Sequence, residues 1–511
     1  MSEYLPRRRR VGGLRIDPRK SVSTAASIAP VFIPSHLHIP VESRFGVTPD
    51  ICVAVGQQVQ RGEILAAAKP GSAAANVHAS SSGRVAGIDS IDVTTVHGDR
   101  SVPAVVIETD GRHTPVDPRP RPPGLEDRAQ CFEFIRSSGI VGLGGAAVST
   151  GWKLAQAPNV KTLIINGAEC EPYISCDDML MREQPGDILA GSRTLCDLTG
   201  AQLCIVAIER DKPKAIESIR QSMESLEDDR LHLAELPSIY PAGGERQLVE
   251  LLIGEEVPSG RYPADMGILC QNVGTASAVH HALHNGEPLL SRIVTLTGNG
   301  MRRPGNVTAL IGTRLSDLIE HHGGFGDDAA ALIIGGSMMG VAQTSDAGVV
   351  SKWTNCVLVP DGEEFGDAPR TQWPCIRCGE CAGACPARLL PQEMLRGIKR
   401  QDFGMLETLG LVDCIECGCC DAICPSHIPL THQFVEARLQ LRQRRNDRQF
   451  AETAQARFDT RSERMTEFDD RLRADQEELR SKVASPDAGK RAIEAVLRRA
   501  NARRRDDKES Q

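Results

Sequence analysis

The sequence predicts a multidomain protein of mixed α/β and α+β class. Three observations carry this. A chain of 511 residues is longer than one hydrophobic core organises, so three to five domains are expected. The apolar runs Lys161–Ile165 and Leu203–Ala207, with the amphipathic stretch Lys212–Leu226 after the second, have the period of buried parallel strands alternating with helices. Nine of the 17 cysteines fall between Cys375 and Cys424, in two runs of identical spacing.

The elements follow in order. Residues 1–28 read as irregular: arginine-rich, then Gly12-Gly13, then small residues. Residues 29–120 carry short β runs and turns. Val55–Leu65 reads as strand, turn, strand, and Val77–Val85 follows a small-residue stretch, a pattern that resembles biotinyl- and lipoyl-carrier barrel-sandwich domains. Ala73–Val77 holds no lysine, so covalent cofactor carriage is not expected and a docking module is. Thr114–Gly124 is a Pro/Arg-rich linker. Residues 125–290 form the α/β domain. Residues 291–362 return to strands (Arg292–Leu296, Ala331–Ile334, Cys356–Val359) around a helix at Leu315–His321. The cysteine module spans 365–430, and 431–511 is a charged, helical or disordered tail with little apolar stripe.

Composition bounds the function. A net charge of −8 gives no reason to expect nucleic acid. No apolar run is long enough for a membrane span, and Arg7–Arg10 is followed by no apolar region, so it reads as a solvated tail rather than a signal. Eight cysteines scattered singly are not a disulfide framework, and thiolate-rich metal sites belong in a reducing compartment.

The cysteine runs read Cys375-x-x-Cys378-x-x-Cys381-x-x-x-Cys385-Pro386 and Cys414-x-x-Cys417-x-x-Cys420-x-x-x-Cys424-Pro425. This is the ligand pattern of ferredoxins with two [4Fe–4S] clusters, in which the fourth cysteine of each run ligates the other run's cluster. The expected quartets are Cys375, Cys378, Cys381, Cys424 and Cys414, Cys417, Cys420, Cys385. Gly379 and Gly418 let the backbone approach the sulfurs. The competing reading is a pair of Cys₄ zinc sites. Cys419 is an extra residue, expected on the far side of its loop.

The α/β domain carries a second pattern. Gly139–Leu154 is a glycine-rich loop opening a helix, which can present N–H groups to a phosphate, with Lys153 adding charge. The strand Leu163–Ile165 then leads into Asn166-Gly-Ala-Glu169-Cys-Glu171-Pro172. Gly243-Gly244-Glu245 repeats the glycine-then-acid theme, and Asn272-Val-Gly-Thr275 precedes a helix. Polar groups at strand C-termini sit where open α/β sheets bind ligands.

In this order the motifs resemble the flavin- and NADH-binding subunit of respiratory complex I and, more closely, the C subunits of Rnf-type electron transport complexes. The match runs from about Gly12 to Leu430 and includes Gly298–Val307, Gly312-Thr313 and Gly335–Gly340. The resemblance implies a barrel-sandwich domain, a Rossmann-like FMN/NADH domain, a soluble-ligand-binding β-grasp domain and a two-cluster ferredoxin domain. It implies non-covalent FMN against Gly142, Gly144, Gly145, Lys153, Asn166 and Glu169, with Glu171, Gly244 and Glu245 near the flavin or NADH. It implies a peripheral oxidoreductase subunit on the cytoplasmic face of the bacterial inner membrane, passing electrons between NADH and ferredoxin in a complex that translocates Na⁺ or H⁺. Two alternatives stay open: a soluble flavin/iron–sulfur reductase such as a cobalamin reductase, and a flavin-free electron relay. The sequence departs at Ala147-Val148-Ser149, where the family carries Gly-Phe-Pro. The β-carbon of Ala147 is expected to crowd the approach of the flavin. Leu14–Pro18 likewise replaces a Gly-Gly-Ile-His-Pro-like run.

Overall fold

The computed structural model describes residues 4–7, 12–42, 48–95, 98–117, 121–122, 124–145, 147–366, 371–484 and 486–509. Arg8–Arg10 of the basic run and Ala146 of the glycine-rich loop lie outside them. Two compact units form, Met1–Glu436 and Ala437–Gln511.

The first unit opens with two small sheets. The strands are β1 His36–Pro40, β2 Asp50–Ile51, β3 Gln58–Val59, β4 Ile64–Ala67, β5 Val77–His78, β6 Gly83–Thr95 and β7 Gly98–Thr109. One sheet runs β1-β7-β6-β3 and the other β2-β4-β5. Leu37, Ile39, Leu65, Val85 and Ile107 are fully buried in the core they share. The linker pairs back on this domain, since Val116 N–H donates to the Arg61 carbonyl at 2.9 Å.

The α/β domain contains α1 Arg128–Ser137, α2 Thr150–Ala155, β8 Thr162–Gly167, α3 Cys176–Glu183, α4 Pro185–Thr199, β9 Leu203–Glu209, α5 Pro213–Glu224, β10 Leu231–Leu236, α6 Glu245–Ile253, β11 Ile268–Asn272 and α7 Val273–His280. Local chemistry sets the boundaries. Asp127 caps α1 by accepting from Gln130 N–H at 3.0 Å, Pro185 opens α4 and left-handed Gly200 closes it. The sheet is parallel, in the order β10-β9-β8-β11. Alternate strand residues serve opposite faces. Leu163, Ile165, Cys204 and Val206 pack with Ile188, Leu195 and Val273 on one side, while Ile164, Ile205 and Ala207 pack with Leu248, Val249 and Leu252 of α6 on the other. The chain moves outward from β8 through β9 to β10, then crosses back to place β11 on the other side of β8. The order therefore reverses between β8 and β11, and in open α/β sheets the strand C-termini at such a reversal are where a ligand crevice forms.

A five-stranded sheet follows, built from β12 Ser291–Thr297, β13 Gly305–Leu310, β14 Ile333–Ile334, β15 Val341–Ala342 and β16 Cys356–Leu358 in the order β13-β12-β16-β14-β15. Helix α8, Leu315–His321, closes its core through Leu315, Leu318 and Ile319. The cysteine module adds α9 Gly362–Phe365, α10 Glu380–Ala384, α11 Pro391–Lys399, α12 Phe403–Thr408 and α13 Cys419–Ala422.

Helix α14 runs Leu430–Val483 and α15 runs Pro486–Glu509. The start of α14 belongs to the cysteine module, because Leu430, Phe434 and Val435 are buried. The module therefore extends past the boundary expected at 430. The tail also carries more of an apolar stripe than expected: Phe458, Met465, Phe468, Leu472 and Leu479 are exposed and recur with the seven- and three/four-residue spacing of a coiled-coil seam. Among the described residues no helix is long and apolar enough to cross a membrane.

Candidate cofactor sites

The crevice between β8 and β11 gathers most of the candidate flavin residues. The glycine-rich loop is closed by Gly142 N–H donating to the Val148 carbonyl at 2.9 Å and Ala147 N–H to the Gly142 carbonyl at 3.0 Å. It is pinned to α7 by Leu143 N–H donating to Thr275 Oγ1 at 2.9 Å. Gly144 lies against Asn272, where an added Cβ would stand 3.3 Å from the Asn272 side chain. Gly145 is left-handed (φ 96°) and has open space above its Cα. Lys153 donates to Glu245 Oε1 and to the Cys270 carbonyl, both at 2.8 Å. Asn166, at the end of β8, donates to the Gly243 carbonyl at 2.9 Å. The loop after β10 is thereby drawn across the crevice, bringing Gly244 and Glu245 beside Lys153. Asn272 caps α7 by accepting from Gly274 N–H at 2.9 Å.

Two candidates are taken up elsewhere. Glu169 accepts from the N–H groups of Asp177 (2.7 Å) and Asp178 (3.2 Å) at the start of α3 and lies 3.7 Å from Lys20 Nζ. Burial pushes its carboxyl up, to about 8, against the pull of Lys20. Glu171 accepts from Met338 N–H at 2.6 Å and Met339 N–H at 3.0 Å. Both carboxyl groups thus also hold loops of the protein together, Glu169 at the start of α3 and Glu171 at the Met338 loop. The expected crowding at Ala147 is also corrected. Its backbone is left-handed (φ 52°), but its methyl is buried among core side chains, so it does not fill the crevice.

Nothing in the sequence marks Lys20, a lone lysine in an irregular segment. It is buried and donates to the carbonyls of Glu169 (2.8 Å), Glu171 (3.2 Å) and Ile174, organising the acidic loop. A separate cavity of about 510 Å³ is lined by Arg61, Leu143, Asp177, His281 and Arg292. It includes none of the glycines or polar side chains proposed for flavin.

The cysteine loops repeat one backbone. Arg377 and Glu416, Gly379 and Gly418, and Arg388 and His427 occupy corresponding positions, and all are left-handed, with φ between 50° and 84°. Cys385 lines one cavity with Cys414, Cys417, Cys419 and Cys420, walled by Pro386, Met394, Ile415 and Phe434. Cys381 has its thiol raised by burial and, further, by Cys378 and Cys375. Ser426, two residues after Cys424, is tied to the start of the first run: Trp373 N–H donates to the Ser426 carbonyl at 2.9 Å and Ser426 Oγ to the Pro374 carbonyl at 3.1 Å. The cavity around Cys385 offers thiols among apolar side chains, a donor set and lining that a four-iron cubane takes. Cys419 is fully buried, in one cluster with Tyr240 and Cys417.

Known families match these regions in turn. Residues 9–112 match the RnfC barrel sandwich hybrid domain, 135–281 the Nuo51 FMN-binding domain and 293–342 the SLBB domain. C subunits of ion-translocating oxidoreductase complexes are similar over most of the chain. The one from Pseudomonas aeruginosa is 40% identical over 91% of this chain and 60% of its own. That of Klebsiella pneumoniae strain 342 is 38% identical over 97% and 65%. That of Haemophilus influenzae strain PittEE is 36% identical over 89% and 69%. The chain belongs to this C-subunit family. It spans 60–65% of the length of the Pseudomonas and Klebsiella relatives. The family likeness thus covers the barrel sandwich, the crevice domain and the five-stranded sheet.

Proposed function

We propose that this chain is the flavin-bearing peripheral subunit of a membrane ion-translocating oxidoreductase complex. It passes electrons between NADH and ferredoxin, on the cytoplasmic face of the inner membrane, through two [4Fe–4S] clusters. The observation that supports this reading is that one compact unit holds both the polar strand ends of β8 and β11 and a thiol-lined cavity in which Cys385 of the first run joins Cys414, Cys417 and Cys420 of the second.

FMN would be held by Gly142, Gly144, Gly145, Lys153, Asn166, Gly244 and Glu245. Bound there, it supplies the conversion of a hydride's electron pair into single electrons. The chain's own groups position and polarise. Lys153, fixed between Glu245 and a backbone carbonyl, gives the crevice a cation that cannot swing away. The glycines keep side chains out of the approach, and Asn272 holds the start of α7. Cys375, Cys378, Cys381 and Cys424 would ligate one cluster and Cys414, Cys417, Cys420 and Cys385 the other. The partner subunits of the complex extend the path and translocate the ion.

The test is the iron, acid-labile sulfide and FMN content of anaerobically purified protein, with spectra before and after NADH. About eight irons, one FMN and bleaching by NADH support the reading. The same iron with no flavin and no bleaching replaces it with a cluster relay.

A further inference from the structure

The loop that closes the flavin crevice and the loop that holds one cysteine quartet meet at a single side chain. Tyr240 immediately precedes Pro241–Glu245, the segment Asn166 ties to the crevice. Its ring is buried with Ala384, Cys417 and Cys419, against Leu14, Ile16, Cys170, Met338 and Ile415. Its hydroxyl donates to the Cys417 carbonyl at 2.8 Å. Its backbone pairs in both directions with Leu14, at 2.9 Å each way. The segment carrying Leu14 covers the same quartet: Gly13 N–H donates to the Ala384 carbonyl at 2.8 Å, and left-handed Gly12 packs so tightly on the Cys385 carbonyl that a Cβ there would collide with it. In the other quartet, Cys375 and Cys378 are exposed among the described residues.

We propose that Tyr240 is a positioning residue for electron transfer. Its hydroxyl fixes the Cys417 loop to the crevice loop, makes the cluster held by Cys385, Cys414, Cys417 and Cys420 the one that exchanges electrons with the flavin, and tunes that cluster's potential alone. The inference rests on the flavin reading above. The step served is outer-sphere: no bond forms or breaks, and each electron lost by the flavin is one gained by the cluster. The phenol has one proton and two acceptors near it, the Cys417 carbonyl and the Glu171 carboxylate. The geometry gives that proton to Cys417. A donor beside a ligating residue favours the more negative, reduced cluster, so its loss lowers the potential.

The experiment uses the full chain with its clusters loaded, comparing wild type with Tyr240→Phe. Potentials are read by EPR during dye-mediated dithionite titration, and the covered cluster's signal is assigned by its loss in Cys385→Ser. The expected result is a shift of that cluster alone to lower potential, up to a tenfold change in its reduction equilibrium, or ~59 mV for one electron. Flavin bleaching by NADH should persist while electron arrival at the clusters slows several-fold. Unchanged potentials, or equal shifts of both clusters, overturn the proposal. The titration needs no flavin: a preparation without FMN defeats the functional reading, yet the potential shift can still be read. Should Tyr240→Phe fail to retain its iron, Tyr240 is replaced by 3-fluorotyrosine, which has nearly the same shape and a more acidic, stronger hydroxyl donor, and titrated instead. A rise in the covered cluster's potential alone supports the proposal, and no shift, or a shift of both clusters, overturns it.

Discussion

The two cysteine loops share spacing and backbone but not surroundings. In the first, Trp373 is 61% and Ile376 67% exposed, and Cys375 and Cys378 face solvent. In the second, Cys417 and Cys420 are at most 9% exposed and Cys419 is fully buried. Ligand geometry is thus a local property, written in the repeated left-handed turns. Burial is imposed from outside, by the N-terminal segment, Tyr240 and the Met338 loop, whose carbonyl lies against Gly418. Two sites built alike can then differ in solvent access and redox behaviour, since potential follows hydrogen bonding and exposure as well as ligand type.

The largest effects test the crossing. Cys385→Ser should remove the covered cluster, halving the iron content, although Cys385 belongs to the first run. Cys424→Ser should remove the exposed one. If each variant instead spared the other run's cluster and lost its own, the crossed quartets would be wrong. The covered-loop variant should also lower thermal stability more, because it empties a buried cavity.

The repeated turns of the two cysteine loops were legible from sequence because the spacing of the two runs is the same. The α/β domain was legible for a similar reason: strands buried on both faces must be nearly all apolar, as at Leu163–Ile165 and Leu203–Ala207. The cover was not. Lys20, Gly12 and Tyr240 act over more than a hundred residues of sequence, through one carbonyl or one packing contact, and nothing local marks them. The roles of Glu169 and Glu171 were hidden for the converse reason. A motif shows that a carboxylate is present, not which of the N–H groups nearby will claim it. Ala147 is a third case, because a departure from glycine says a methyl has been added without saying whether it points into the crevice or the core.

Removing the anchor of the cover is the next largest perturbation. Lys20→Met takes the buried ammonium donor away from the carbonyls of Glu169, Glu171 and Ile174, at a cost of about 1–3 kcal/mol. Chemical denaturation should show it. Iron release to a chelator should accelerate at the covered cluster first; equal acceleration at both clusters would mean that the N-terminal segment does not distinguish them.

A matched pair of truncations sharpens the contrast. Ile376 and Ile415 occupy the same place in their loops, after the first cysteine. Ile415 is half-buried, walls the cluster cavity and packs with Tyr240, whereas Ile376 points to water. Ile415→Ala should cost about 1–3 kcal/mol, below the full range for a wholly buried isoleucine. Ile376→Ala should stay within about 0.5 kcal/mol. Comparable losses, read from denaturant midpoints, would mean that the exposed loop is packed as firmly as the covered one.

The smallest effect is expected to be the same in both loops, and for that reason it separates local from imposed structure. Arg377 (φ 59°) and Glu416 (φ 58°) are non-glycine residues in the left-handed region, a conformation that costs an L-residue about 1–2 kcal/mol. Glycine would relieve that strain but loses about 0.5–1 kcal/mol of backbone entropy on folding. The two terms nearly cancel. Arg377→Gly and Glu416→Gly should each change stability by less than about 1 kcal/mol, with the same sign and similar size, because the strain belongs to the turn and not to its surroundings. Opposite signs, read from paired denaturation curves of the cluster-loaded protein, would show that burial reaches into the backbone of the covered loop and that the two turns are alike in angle only.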